Sequence, residues 1–338
     1  MRHLRRPAQV AATLLLVLAV VAAVLWFAPS GSYIFLPDRA HPVAPLVTVQ
    51  GAKRGSDPGA IYFVDIFVRK ATLAEKLFPW LREGAEIVPA SALLAPGSSD
   101  AARAREDQLE MTRSQQIAAA LAEKAAGYKV VAKPTGALVD DVSPNVPAAG
   151  LVQPTDVIVS VDGKPVRQLT DLRRLLGAYK PGDTVELGLK RGAESKTVHV
   201  KLAPDPQDSK RGMIGVIVSQ AADIHLPRKV TINAGGVGGP SAGLAFALDV
   251  LEKLGRNVDH GCRIAATGEV DLAGDVLPIG GIKQKMIGVR RTGIDVFLVP
   301  AGDNATEAKR FAGRVRVIPV SSFQQALHAL ATMPVKCT

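Results

Sequence analysis

The apolar run from Val10 to Ala28 constrains this 338-residue chain more than any other stretch. About 20 such residues cross a bilayer as a helix, which satisfies its own backbone polar groups. Signal-peptide cores are shorter, about 7–15 residues. No small-x-small cleavage pattern follows Ala28, and Pro29 would sit awkwardly beside one. The run therefore predicts an uncleaved signal anchor over 9–28 rather than a removed signal peptide. Residues 1–8 carry Arg2, Arg5 and Arg6, and such a basic flank stays in the cytoplasm. The chain is then expected to be single-pass in the cell membrane, with everything from about residue 30 on the extracytoplasmic side.

Far downstream, Gly238-Gly239-Pro240-Ser241-Ala242-Gly243 places a serine on a glycine-rich turn. Leu244, Ala247, Leu248, Leu251 and Leu254 follow at helical spacing, and Gly255 is a stop signal. Pro240 suits the first position of that helix. Ser241 would then sit among free N–H groups at a positive dipole end, the field an acyl-transfer oxyanion needs. The plainer reading of the same residues is a serine cap after a loop. A phosphate cradle is disfavoured, because no Gly-Lys-Ser/Thr follows. Gly239 to Gly243 also fit a G-x-S-x-G elbow, with Asp295 or Asp303 and then His328 in the required order. Against that, His328 shares an amphipathic pattern with Phe323, Leu327 and Leu330, and the preceding segment lacks the parallel strands an elbow needs.

A lysine is available as proton acceptor. Thr267 to Val270 and Asp275 to Ile279 read as short strands joined through Ala273-Gly274. Gly280-Gly281 then launches a helix to about Arg291. Ile282, Met286 and Val289 share one face, and Lys285 lies nearer its centre than Lys283. Ile287 falls off that face, so periodicity leaves both lysines open. A base working near neutral pH needs its amine moved down from ~10.4 by roughly 2–3 units, which apolar burial can supply.

Gly239-Pro240-Ser241-Ala242-Gly243, Thr267-Gly268-Glu269 and Val276 to Lys285, in that order, resemble the proteolytic domain of the Lon protease family over about 207–335. The resemblance implies a serine endopeptidase with Ser241 as nucleophile and Lys285, the second lysine of Gly-Gly-x-Lys-x-Lys, as base. Thr267 is implied as the lysine's hydrogen-bonding partner, framed by Gly239, Pro240 and Ala242. No cofactor and no metal are implied, and family members often assemble as hexameric rings, so a homo-oligomer is expected. Lon enzymes commonly carry an acidic residue three positions before the serine, where this chain has Gly238. No Walker A sequence is present, so ATP-independent action is expected.

Residues 127–205 resemble a PDZ domain of the bacterial protease-associated type. The text that carries this is Gly136 to Val142, Pro147 to Leu151, Asp156 to Val166 with a tight Asp-Gly-Lys turn, a helix from Asp171, and a strand from Thr184 to Lys190. Such domains add an extended peptide to a sheet edge. Gly136, Ala137, Leu138 and Val139 are expected to form that edge, for substrate or regulatory tails. A non-catalytic peptide-binding adaptor with a Lon-like docking domain is the alternative function.

The expected fold class is α+β: a transmembrane helix, a β-rich PDZ-like domain and a C-terminal Lon-type α/β domain. Residues 29–42 read as a linker and 43–126 as a bracing region. In that region Ile61–Val68 is a strand, Thr72–Leu81 a short helix, Pro96 to Ser99 a loop, and Asp100 caps a helix to about Ala126. The Glu, Asp and Arg side chains of this last helix are expected on a solvated face. The net charge of +10 is spread along the chain and aromatics are few, which argues against nucleic acid. With only Cys262 and Cys337, no disulfide framework exists, although one isolated bridge would fit.

Overall fold

The computed structural model describes residues 5–52, 60–94, 99–143, 145–206 and 208–333. Helix α1 (Arg5–Phe27) runs straight into strand β1 (Pro29–Pro42). The linker expected over 29–42 is therefore a strand. Its prolines and glycine obscure the pattern, but Tyr33 and Ile34 are buried and both of its edges find partners. After β2 (Val47–Val49) come β3 (Ala60–Thr72) and α2 (Leu73–Leu77). Thr72 caps α2 reciprocally with Glu75, satisfying two free donors of its first turn. Strand β4 (Glu86–Pro89) precedes the long helix α3 (Asp100–Ala125). The cap of α3 is Ser99, whose hydroxyl accepts from Ala102 N, one residue before the cap expected from sequence. The expected loop at 96–98 lies outside the described residues.

The middle of the chain forms a separate sheet. Strands β5 (Val131–Val142), β6 (Val157–Val161) and β7 (Lys164–Pro165) precede α4 (Leu169–Leu176), and β8 (Thr184–Arg191) with β9 (Glu194–Lys201) completes a hairpin. A small ladder pairs β10 (Ala203–Pro204) with β11 (Gly212–Met213). The next strand, β12 (Val216–His225), turns back onto the same sheet, whose order is β12-β5-β6-β8-β9. Leu172 and Leu175 of α4 close its core over Val139, Ile158 and Leu187.

The last third contains β13 (Val230–Ile232), α5 (Gly243–Lys253), β14 (Arg263–Ala266), β15 (Glu269–Val270) and β16 (Val276–Leu277). Helix α6 (Ile282–Thr292), β17 (Val296–Pro300), α7 (Asp303–Phe311), β18 (Arg316–Val320) and α8 (Phe323–Ala331) follow. The principal sheet has the order β18-β17-β14-β3-β1-β4. Its parallel strands β14 and β17 are buried on both faces, so they read as short continuous apolar runs. Ile264, Ala266, Val296 and Leu298 face α5, α8 and α3, whereas Ala265, Phe297 and Val299 face α6 and α7. Helix α5 is buried all round from Gly243 to Leu251 because α3 covers the side turned away from the sheet. Each fully buried Leu or Phe in it contributes ~1.5–3 kcal/mol.

Two further expectations differ from the structure. The edge expected at Gly136, Ala137, Leu138 and Val139 is closed, because β5 pairs with β12 on one side and β6 on the other. Ala137 lies opposite both Gln220 and Ile158. The outer strand on that side is β12, whose partner lies too far along the chain for any local motif to reveal. The charged face of α3 is not fully solvated either. Glu106, Asp107, Glu110 and Arg113 are half-buried, because the helix lies between α5 and β12.

Candidate active site

Ser241 precedes α5 by a tight turn. Pro240 is not its first helical residue: Gly243 N donates to Pro240 O, and the helix begins only at Gly243. The Ser241 carbonyl accepts from Gly268 N at 2.8 Å and from Thr267 Oγ1 at 3.1 Å. Leu244 N donates in turn to Gly268 O. These bonds lock the serine turn to the Thr267-Gly268-Glu269 segment. The backbone N–H groups of Ser241 and Ala242 have no acceptor among the described residues.

Helix α3 clamps the turn from the other side. Ser114 Oγ donates to Pro240 O at 2.9 Å, and Gly239 N donates to Asp107 O at 2.7 Å. A side chain at Gly238 would meet Asp107 Cβ at 2.7 Å, so the space for an acidic residue at that position is already filled by α3. Asp107 and Ser114 are site-forming residues that sequence motifs did not indicate. The only signal was the helix itself, since a helix lays no sequence mark on the loop it contacts.

Lys285 reaches this turn from α6. Its Nζ lies 2.6 Å from Ser241 Oγ and 3.0 Å from Thr267 Oγ1. The lysine is 2% exposed and Thr267 is fully buried, whereas Ser241 stays partly open. Burial pushes the amine down to about 7, with the Asp65 carboxylate opposing the shift. Lys283 points elsewhere, with its Nζ 5.7 Å over the Phe311 ring. The ambiguity left by helical periodicity is resolved by packing: Ile282, Met286 and Val289 bury against the sheet and carry Lys285 inward. Of the residues expected at the site, Ser241, Lys285 and Thr267 converge, framed by Gly239, Pro240 and Ala242. Gly136 to Val139 lie in the other sheet. His328 is exposed on α8, and the Asp295 carboxylate accepts from Arg263 N, so the elbow-type triad is not assembled.

A cleft of about 390 Å³ opens beside the turn, walled by α3, β5, β12 and the Glu269 segment and reaching Pro240. Burial, reinforced by neighbouring carboxylates, pushes Glu110 up to about 8 and Glu269 to about 7. Arg113 stands among them, and its Nη2 donates to Gln220 O on β12. The cleft thus joins the serine turn to the second sheet.

Comparisons with known proteins match two families. Residues 108–202 match the family described as PDZ domain, and 209–332 the one described as Lon protease (S16) C-terminal proteolytic domain. Lon protease from Neorickettsia sennetsu is 36% identical over 119 residues, which cover 34% of this chain and 14% of that protein. Lon protease 1 from Sorangium cellulosum is 36% identical over 143 residues, covering 39% and 17%. The chain thus spans about a sixth or less of the length of these relatives. A solved structure, the PDZ domain of the SdrC-like protein from Listeria monocytogenes, is 27% identical over 25% of this chain and 87% of that one, with a TM-score of 0.23. The chain therefore carries a PDZ domain followed by a proteolytic domain of the Lon type.

Proposed function

We propose that the chain is a membrane-anchored serine endopeptidase that cleaves peptide bonds without ATP, through Ser241 and Lys285. The observation that carries this reading is a buried amine with its pKa near 7, 2.6 Å from a partly open serine hydroxyl. In the neutral amine form the hydroxyl donates to Nζ. Proton transfer to Lys285 frees Oγ to attack a peptide carbonyl, and the tetrahedral oxyanion takes donors from the Ser241 and Ala242 N–H groups. The ammonium then returns its proton to the departing amine, leaving an acyl-enzyme. Water, deprotonated by the same lysine, releases the acid product. Thr267 Oγ1 accepts from Nζ and holds the amine in line.

Support for the setting is independent of the dyad. Helix α1 is long and apolar enough to span a bilayer over Gln9–Phe27. The sequence carries no Gly-x4-Gly-Lys-Ser/Thr for a nucleotide, so unfolding of stable substrates is not assigned to it. The PDZ sheet offers β12 as the strand for an incoming peptide tail, with Gln220 tying that strand to the α4 N-terminus at Leu169 N.

The test is hydrolysis of casein and of a peptide library by the full chain in bilayers, with and without ATP. Ser241→Ala and Lys285→Ala should each lower turnover by about 10⁴-fold or more, and ATP should change nothing. Turnover that survives Lys285→Ala would remove the dyad from the account, and peptide binding with no turnover under any condition would leave the adaptor.

A further inference from the structure

This chain has only two tryptophans, and the fold brings both to one end of the molecule. Trp26 is 60% exposed in the last turn of α1, and Trp80 is 72% exposed on the short turn Pro79–Leu81 that follows α2. The link between them is direct. Leu73 N, the first residue of α2, donates to Ala28 O at 2.9 Å, where the chain leaves α1. Pro29 pairs with Thr72, and α1 packs against α2. Helix α2 therefore starts at the level where the apolar helix ends.

Around Trp80 the surface is apolar and uncovered. Leu77, Phe78 and Leu81, its neighbours in the chain, are all exposed, and Phe78 meets Trp80 edge-on at 5.3 Å. A contiguous apolar patch of this kind marks an interaction surface. Its base is rigid: the Thr72–Glu75 capping box fixes α2, and Glu75 also pairs with Arg69 and Arg82. Exposed Lys76 and Arg82 flank the patch. Aromatic rings and leucines beside lysine and arginine suit the boundary between acyl chains and anionic headgroups.

We propose that residues 77–81 dock into the outer interface of the same bilayer that α1 crosses. This rests on the membrane-anchor reading above and adds a second attachment to it. The consequence reaches the active site. Gln284 Nε2, next to Lys285, donates to Gly84 O at 2.9 Å and to Glu86 at 3.1 Å, just beyond the docked turn. With α1 and this turn both held, β1 and the α6 helix packed on it take one orientation toward the membrane, instead of swinging on a single tether.

The two tryptophans make the test clean. The full chain is placed in phosphatidylcholine–phosphatidylglycerol bilayers, where Trp26→Phe leaves Trp80 as sole emitter and Trp80→Phe leaves Trp26. Trp80 should emit blue-shifted light, respond to acyl chains brominated near the headgroup more than to those brominated deep, and be quenched by aqueous acrylamide several-fold less than free tryptophan. If Trp26 senses bromine but Trp80 is open to acrylamide and blind to bromine, the anchor stands and the docking surface falls. If neither senses bromine, both readings fall together. If Trp80 is shielded only at high protein-to-lipid ratio, without a bromine effect, a second copy covers the patch and the proposal is overturned.

Discussion

At Lys285 the requirement of the chemistry and the requirement of the fold oppose each other. Burial holds the amine at about 7, against ~10.4 in an unfolded chain. Between those values the unfolded state binds a proton that the native state does not. Stability therefore rises with pH across the window, and the penalty, on the order of 4 kcal/mol, is fully present below about 7. Lys285→Met should melt several degrees higher than the parent at pH 6–7, with the gap closing toward pH 10, as differential scanning calorimetry would read; a parent that is the more stable at pH 6 would contradict it. In the proposed mechanism the same value sets activity. Only the neutral amine can take the Ser241 proton, so kcat/KM should climb about tenfold per pH unit below 7 and level off above it. A flat profile between pH 5 and 9 would exclude Lys285 as the base.

At the scale of elements, close approach places the reactive groups. Helix α6 lies so near β1 that a Cβ on Gly288 would stand 1.9 Å from Asp38 O, a backbone atom that cannot step aside. Gly288→Ala should force the two elements apart, lowering stability by about 3 kcal/mol in a denaturant titration and moving Lys285 off the serine. Helix α5 carries a different burden in Asp249, 3% exposed, with Oδ2 unpartnered among the described residues. Burial pushes this carboxyl up to about 7. Its native state therefore holds a proton the unfolded chain has lost between about 4 and 7, so stability falls as pH rises, and the penalty is complete above that range. Asp249→Asn should match the parent near pH 4 and exceed it by about 1–3 kcal/mol at pH 8; equal midpoints at pH 8 would show that the side chain is solvated.

On the scale of the whole molecule, the proteolytic unit is assembled from both ends of the chain. Strands β1, β3 and β4 and helix α3 join elements from the last third, and β12 crosses back into the PDZ sheet. A pull on α1 therefore acts on β1, against which α6 and its Lys285 pack, and a pull on β12 acts on α3, which clamps the serine turn. The anchoring itself is open to a simple check. Alkaline carbonate should leave the chain in the membrane pellet, and protease added outside spheroplasts should digest it; release into the carbonate supernatant would mean that α1 is removed or lies outside the bilayer.

What could be read along the chain was whatever depends on near neighbours. The α1 run, the stop of α5, the ends of α6, and the ordered trio of motifs holding Ser241, Thr267 and Lys285 are all local text, because helices close their bonds four residues apart; the start of α5 is not, since it falls at Gly243 and not at Pro240. Everything else waited for distant contacts. Residues 29–42 became a strand only by pairing with β3 and β4, and the half-buried acids of α3 show only once α5 and β12 surround them. Gly136 lost its open edge to a strand whose Gln220 lies 84 residues away. Periodicity left Lys283 beside Lys285, the motif resemblance pointed to Lys285, and the sheet covering that side of α6 is what buries it. The sequence determined which groups could react; packing determined that one amine would lose its water and meet the hydroxyl, because desolvation belongs to the enclosing surface and not to the residue.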